Sequence, residues 1–239
     1  MKGLNEMAKK LLITEKPSVA MEFAKALKVN TTRKNGYLES PEYVITWCVG
    51  HLVTMSYPEV YDQKYKMWRY DTLPFIPTEW KYEVIDSVKS QFEIVKNLLL
   101  SEDVDTIYVC TDSGREGEYI YRLVDQMIGV HGKEKKRVWI DSQTEEEILN
   151  GIKNAKDLSE YDALSDSAYL RAKEDYLIGI NFSRLLTLSY GREVAKRNNE
   201  ERTSISVGRV MTCVLGMIVE REYEIVNFVK SKFYKIQAS

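Results

Sequence analysis

Residues 105–124 read DTIYVCTDSGREGEYIYRLV, and this stretch decides the fold. Its first part, DTIYVCTD, is the near-continuous run of β-branched and aromatic residues expected of a strand buried on both faces. Ser113-Gly114 interrupts it, and REGEYIYRLVDQMIG has helical spacing. Strand, tight turn and helix in that order form one half of a parallel βα unit. Downstream the pattern repeats: RVWID, residues 137–141, predicts a strand, and TEEEILNGIKNA, residues 144–155, a helix. Upstream, KYEVIDSVKSQFEIVKNLLL predicts a strand passing into a helix. KKLLIT, residues 9–14, predicts another strand, followed by Glu15-Lys16-Pro17-Ser18 and then VAMEFAKAL, whose Val19, Phe23, Ala26 and Leu27 share a helix face. Pro17 suits the first position of that helix. YLES and YVITWCV predict a strand pair around Ser40-Pro41, ending in Gly50-His51-Leu52, and residues 55–80 an irregular excursion. Strands alternating with helices imply an α/β layer with parallel pairing.

From about residue 158 the pattern changes. Residues 159–191 and 206–225 carry apolar side chains at helical spacing, joined by the polar link GREVAKRNNEERTSI. The expected fold is therefore α/β, a Rossmann-like parallel sheet flanked by helices over residues 1–157, followed by a mostly α-helical region over 158–239. KFYKIQAS, at 232–239, predicts the start of a further strand.

The chain has 239 residues, 44% hydrophobic and 29% charged, enough for one large or two small cores and a poor fit to disorder or collagen. With 34 Lys and Arg against 36 Asp and Glu, no overall basic excess argues for nucleic acid, so any such surface is local. No apolar run reaches the roughly 18 residues of a membrane span, and the opening MKGLNEMAKK lacks the apolar stretch of a secretory signal. No membrane association and a cytoplasmic location are expected. Cys48, Cys110 and Cys213 are widely spaced in apolar runs and are expected to be buried free thiols.

Two places bring carboxylates to the C-terminal ends of predicted parallel strands: Glu15, and Asp112 with Glu116 and Glu118. That edge is where open α/β sheets bind ligands. Crowded carboxylates repel unless a hard cation sits among them, and oxygen ligands suit Mg²⁺. The spacing serves a second reading equally well, since GREGE also opens a helix whose N-terminal dipole favours acids.

LLITEKPSVAMEFAKAL, the GHL at 50–52 and TDSGREGEYIYRLV closely resemble the TOPRIM domain of type IA DNA topoisomerases, particularly those of the topoisomerase III kind. RAKEDYLIGINFSRLLTLSYGR and SVGRVMTCVLGMIVEREYEI resemble the start of the helical DNA-binding domain that follows it. The match runs in order from about residue 10 to about 228. It implies a Mg²⁺-dependent enzyme in which a tyrosine attacks single-stranded DNA, forming a 5′-phosphotyrosyl bond and releasing a 3′-hydroxyl before resealing. By the resemblance Glu15, Lys16 and Arg115 are catalytic, with Lys16 near the scissile phosphate and Glu15, its pKa raised by neighbouring carboxylates, a proton source. Glu15, Asp112 and Glu116 are the implied metal ligands. The family's middle acid is missing, because position 114 is glycine, and Met211 stands where the family usually has glutamine.

The same resemblance makes His51, Tyr176, Arg184, Arg192, Ser206, Val207, Gly208, Arg209, Val210 and Met211 DNA-facing. On one continuous helix Arg184 and Arg192 would lie about 12 Å apart along the axis, able to follow phosphates, and Tyr176 could stack on a base. Gly208 would let DNA approach the backbone. A plain alternative is open for each: a helical arginine is often paired with a nearby acid, and a lone histidine is often a turn residue. The family's nucleophile lies in a Tyr-Pro-Arg context in a later domain; Tyr57-Pro58-Glu59 lacks the arginine and reads as packing. The chain is thus expected to be an amino-terminal part, a monomer unable to relax DNA alone. Other open readings are a catalytically silent TOPRIM DNA-binding module, or another TOPRIM enzyme such as a primase or OLD-type nuclease.

Overall fold

The structure is a computed structural model, and it describes residues 8–238. Most of the opening stretch read for a secretory signal therefore lies outside the described residues. The strands are β1 (Lys9–Thr14), β2 (Thr32–Lys34), β3 (Tyr37–Glu39), β4 (Tyr43–Trp47), β5 (Val53–Met55), β6 (Tyr82–Val84), β7 (Val104–Cys110), β8 (Glu134–Arg137) and β9 (Lys156–Asp157). The helices are α1 (Pro17–Ala26), α2 (Pro58–Tyr61), α3 (Lys89–Leu100), α4 (Arg115–Ile128), α5 (Glu145–Lys153), α6 (Asp162–Asn198) and α7 (Arg209–Val226).

Seven strands form one sheet in the order β2-β3-β4-β1-β7-β8-β9. Its centre is parallel: β1 pairs with β4 on one side and β7 on the other, and β7 with β8. The register sets Thr14 opposite both Trp47 and Cys110, so all three strands stop at one level and the turns that follow share one edge. Leu11, Leu12 and Ile13 of β1 form an unbroken apolar run because both faces of the strand are covered there. Leu11 and Ile13 join the cluster built with α3 and α4, including Val95, Leu99, Ile120 and Leu123. Leu12 faces the opposite way, into the cluster of Phe23 from α1 and Ile148 from α5. Each such fully buried side chain contributes about 1.5–3 kcal/mol. The chain leaving β1 passes to the α1 face and the chain leaving β7 to the α4 face. That reversal opens a crevice between their ends, the usual ligand position in such sheets.

The sequence reading holds for α1 with Pro17 at its start, for the β3–β4 hairpin, for β6 into α3, and for α4 and α5. Four expectations need correction. The strand expected at RVWID lies earlier, over Glu134–Arg137. Val138 N donates to Val109 O at 3.0 Å, but β7 turns away after Cys110, leaving residues 139–141 without a ladder partner. Residues 232–238 form no strand, there being no neighbouring strand to pair with them among the described residues. Cys48 and Cys110 are buried, whereas Cys213 is exposed on α7, a helix with no buried residue. Tyr57, read as packing, is 58% exposed. Among the described residues no helix is long and apolar enough to cross a membrane.

Two compact units divide the chain. The first holds the residues up to Tyr61 with Pro77–Ala172; the second holds Asp62–Ile76 with the residues from Lys173 onward. The 37-residue helix α6 belongs to both.

Gly117, in the first turn of α4, lies against the backbone of Asp112. An added Cβ would meet the Asp112 carbonyl oxygen and come within 2.7 Å of its nitrogen. Gly114 has open space at the same position. In an unencumbered helix Gly→Ala gains about 0.5–1 kcal/mol. Here the clash is with backbone and reverses the sign: Gly117→Ala is expected to lose about 1–3 kcal/mol in urea unfolding, and Gly114→Ala less than about 1 kcal/mol.

Candidate metal and phosphate site

The crevice is built from two turns. In the first, Thr14 Oγ1 donates to Thr46 O and Lys16 O at 3.2 and 3.1 Å. Cys48 N donates to Thr14 O at 2.9 Å and Gly50 N to Glu15 O at 3.2 Å, so the turn after β4 is stitched to the end of β1. That stitching holds Val49 and Gly50 at φ of +48° and +81°. The left-handed conformation is costly for a β-branched valine. It brings His51 to the same edge.

Glu15 is only 9% exposed. Burial first, and then the adjacent Asp112 carboxylate, push its pKa up, while the Lys16 ammonium opposes them. Lys16 Nζ lies 3.5 Å from Glu15 Oε1 and is otherwise largely exposed. Beneath them the Cys48 thiol is pushed up to about 12, chiefly by burial and further by Glu15, which leaves it protonated and inert.

In the second turn the Asp112 side chain is exposed and its backbone is fixed. Arg137, fully buried, donates through Nη2 to Asp112 O at 2.7 Å and through Nη1 to Thr111 O at 2.7 Å, Val109 O at 3.0 Å and Val138 O at 2.9 Å. Its Nε donates to Glu118 Oε2 at 2.9 Å, and Arg122 Nε donates to Glu118 Oε1 at 2.8 Å. Glu118, expected among the crevice carboxylates, is thus completely buried between two arginines, on the inward face of α4. Thr111 Oγ1 donates to Gly117 O at 2.7 Å, closing the turn onto the helix.

Of the three expected metal ligands, Glu15 and Asp112 come together. Glu116 is turned instead to His51, with Oε1 2.6 Å from Nε2, and the imidazole edge rests on Tyr119. Among the described residues no three His, Cys, Asp or Glu side chains converge as a metal set. Arg115 is exposed at the first position of α4. Arg137 was missed in the sequence reading, since in the run KEKKR it looks like one more solvated cation.

Within the second unit the expected DNA-facing residues are unequally placed. Arg192 is exposed on α6. Arg184 is 3% exposed, with its guanidinium 5.4 Å from the centre of the Trp68 ring, so the solvent-facing pair of arginines reduces to Arg192. Tyr176 is half-buried, edge-on to Phe75. The segment before α7 runs along α6, with Ile205 N donating to Thr187 Oγ1 and Val207 N to Ser183 Oγ. Ser206, Val210 and Met211 are exposed, and Gly208 has open space around it. Arg209 donates to Asp175 Oδ2 at 2.8 Å, the paired state that a helical arginine often adopts.

The raised Glu15 pKa carries a sign. The folded chain holds this proton to higher pH than the unfolded chain, so the stability the group contributes is complete below its ordinary value of 4.5 and is lost as pH rises through the raised value. Without added metal, Glu15→Gln is therefore expected to melt above the wild type at neutral pH, with the advantage shrinking towards pH 4.5. Thermal unfolding over a pH series checks it; a variant that melts lower at pH 7 contradicts the crowding of these carboxylates.

Comparison with known proteins places the chain among relatives. The Toprim domain pattern matches residues 10–142, and a DNA topoisomerase pattern matches residues 159–239. DNA topoisomerase 3 of Bacillus thuringiensis (strain Al Hakam) and that of Bacillus anthracis are each 42% identical over 232 residues, covering 97% of this chain and 30% of theirs. DNA topoisomerase 3 of Staphylococcus haemolyticus (strain JCSC1435) is 39% identical over 229 residues, covering 95% of this chain and 30% of its own. The chain thus spans about 30% of the length of these curated relatives. The Toprim match takes in the crevice with Glu15, Asp112 and Arg137 and more than half of the residues, and the chain belongs to the Toprim domain family.

Proposed function

We propose that this chain is the metal-binding and strand-holding part of a cytoplasmic type IA DNA topoisomerase acting on single-stranded DNA. Residues 1–157 would form the domain around the crevice and residues 158–239 the start of the helical DNA-binding domain. The observation that carries the reading is the Glu15–Asp112 pair with Lys16 beside it, at the edge where β1 and β7 end. Both are hard oxygen donors pressed together at an energetic cost, which fits Mg²⁺. Glu15 and Asp112 would hold the ion; Glu116 would join only on leaving His51, and Gly114 contributes no ligand. When bound, Mg²⁺ supplies positive charge beside the phosphate.

The chain's own residues would do the rest. The Lys16 ammonium stabilises charge on the phosphoryl oxygens. A tyrosine oxygen, from outside these 239 residues, bonds to phosphorus as the bond from phosphorus to the 3′ oxygen breaks. In the state where Asp112 and waters hold the ion and Glu15 is protonated, Glu15, which holds a proton to higher pH than an ordinary glutamate, is placed to give it to that departing oxygen. Arg192 would contact strand phosphates, and Tyr176 would offer a ring to a base. On this reading the chain by itself does not relax DNA.

Calorimetric titration tests the metal site. Wild type is expected to bind Mg²⁺ or Mn²⁺ weakly and Asp112→Asn not at all. Gly114→Asp, whose side chain meets open space, is expected to bind about tenfold more tightly. No binding by any of the three favours the silent-module reading, which Gly114 and the His51-bound Glu116 also support.

Single-strand binding should weaken as salt rises, because phosphate contacts release counterions. In a salt series followed by fluorescence anisotropy, Arg192→Ala is expected to reduce the slope of log K against log salt by about 0.7, one phosphate contact. An unchanged slope removes Arg192 from the strand's path.

A further inference from the structure

A cavity of about 490 Å³ opens on the α1 and α5 side of Asp112, away from His51 and Glu116. Its floor is Val19, Cys110 and Ile140; its walls are the turn after β7 and residues 141–143, which follow β8. The two walls are tied together, since Ile140 N donates to Ser113 Oγ at 2.9 Å. Because β8 ends at Arg137, residues 139–143 leave the sheet and carry Asp141 and Gln143 to the cavity wall.

The lining selects a class of ligand. The volume falls within the range of about 300–1,000 Å³ common to small-molecule sites. No lysine or arginine lines the cavity, and Asp112 and Asp141 are both on its wall, so a phosphate would be repelled. An uncharged flat ring with hydrogen-bonding edges fits better, since the mostly polar lining offers Asp141 and Gln143 as partners and only a small apolar area at Val19, Cys110 and Ile140. Ionised Asp141 can only accept hydrogen bonds, whereas Gln143 both donates and accepts. The exocyclic amines of cytosine, adenine and guanine would donate to a carboxylate; thymine's one donor, N3–H, is flanked by two carbonyl oxygens that a carboxylate repels.

Resting on the proposed function, we infer that this cavity is a base subsite, seating one nucleobase of the strand whose phosphate lies at Glu15 and Lys16. It favours amino-bearing bases over thymine through Asp141, seconded by Gln143.

The test uses the full chain with fluorescein-labelled oligo(dC), oligo(dA) and oligo(dT) of equal length, in EDTA so that bound metal plays no part. Wild type is expected to bind oligo(dC) and oligo(dA) about tenfold more tightly than oligo(dT), one charge-assisted hydrogen bond's worth of discrimination. In Asp141→Asn, an exposed and isosteric change, the ratio should fall close to one, mainly through tighter oligo(dT) binding, because an amide can donate to thymine's carbonyl. Gln143→Ala should lower all three affinities with a smaller effect on the ratio. A wild type without preference overturns the subsite, and so does a preference that survives Asp141→Asn, since that would originate elsewhere on the chain. Failure to bind any oligonucleotide overturns the proposed function, and the subsite with it.

Discussion

The crevice depends on one buried cation. Arg137 sits with no exposed surface at the point where β7 ends, α4 begins and β8 leaves the sheet. It bonds to four carbonyl oxygens and the Glu118 carboxylate, so it fixes the backbone at Thr111 and Asp112 relative to the first turn of α4. The planar five-donor fork is what makes this possible; a lysine could not span those acceptors. Removing Glu118 alone would leave a guanidinium buried without its counter-charge, a loss of about 3–5 kcal/mol and comparable to much of a domain's net stability. The backbone of Asp112 is therefore positioned by a pair buried beneath the crevice.

This division explains what was legible in the sequence. TDSGREGEYIYRLV announced strand, turn and helix, because its apolar periods and Ser-Gly break are local signals. The adjacency of Glu15 and Asp112 followed from placing both at strand ends in a parallel sheet. Glu118 was misassigned to the edge because charge alone does not say which helix face it occupies. It is one residue beyond Gly117, whose missing side chain lets the helix settle onto Asp112 and turns the next carboxylate inward. Arg137 was illegible for the same reason in reverse: within KEKKR only its register opposite Val109 places it at the end of the ladder, facing the interior.

The second unit was read less well, and for a different physical reason. Helical spacing put Arg184 and Arg192 on one stripe of α6, which is geometrically sound. It carried no information about Trp68, more than a hundred residues earlier, whose ring meets the Arg184 guanidinium. Long-range partners of this kind decide exposure, and period alone cannot supply them. The Asp175–Arg209 pair makes the same point, since 34 residues of sequence separate its members.

Fixing two carboxylates together has an energetic consequence that links fold to chemistry. Glu15 cannot swing away from Asp112, because its backbone is tied to Gly50 and its side chain is enclosed; burial and the repulsion together raise its pKa, so a proton is held to higher pH. Glu116, on an exposed first turn, is free to find another partner and takes His51. The rigid carboxylate is thus held in the crowded crevice, while Glu116 pairs with an imidazole. A divalent cation entering between Glu15 and Asp112 would compete with that proton, so its apparent affinity would rise with pH as Glu15 ionises. The cost of ionising Glu15 in the crevice and the cation binding proposed there would thus have one origin: a glutamate whose escape is blocked by the fold.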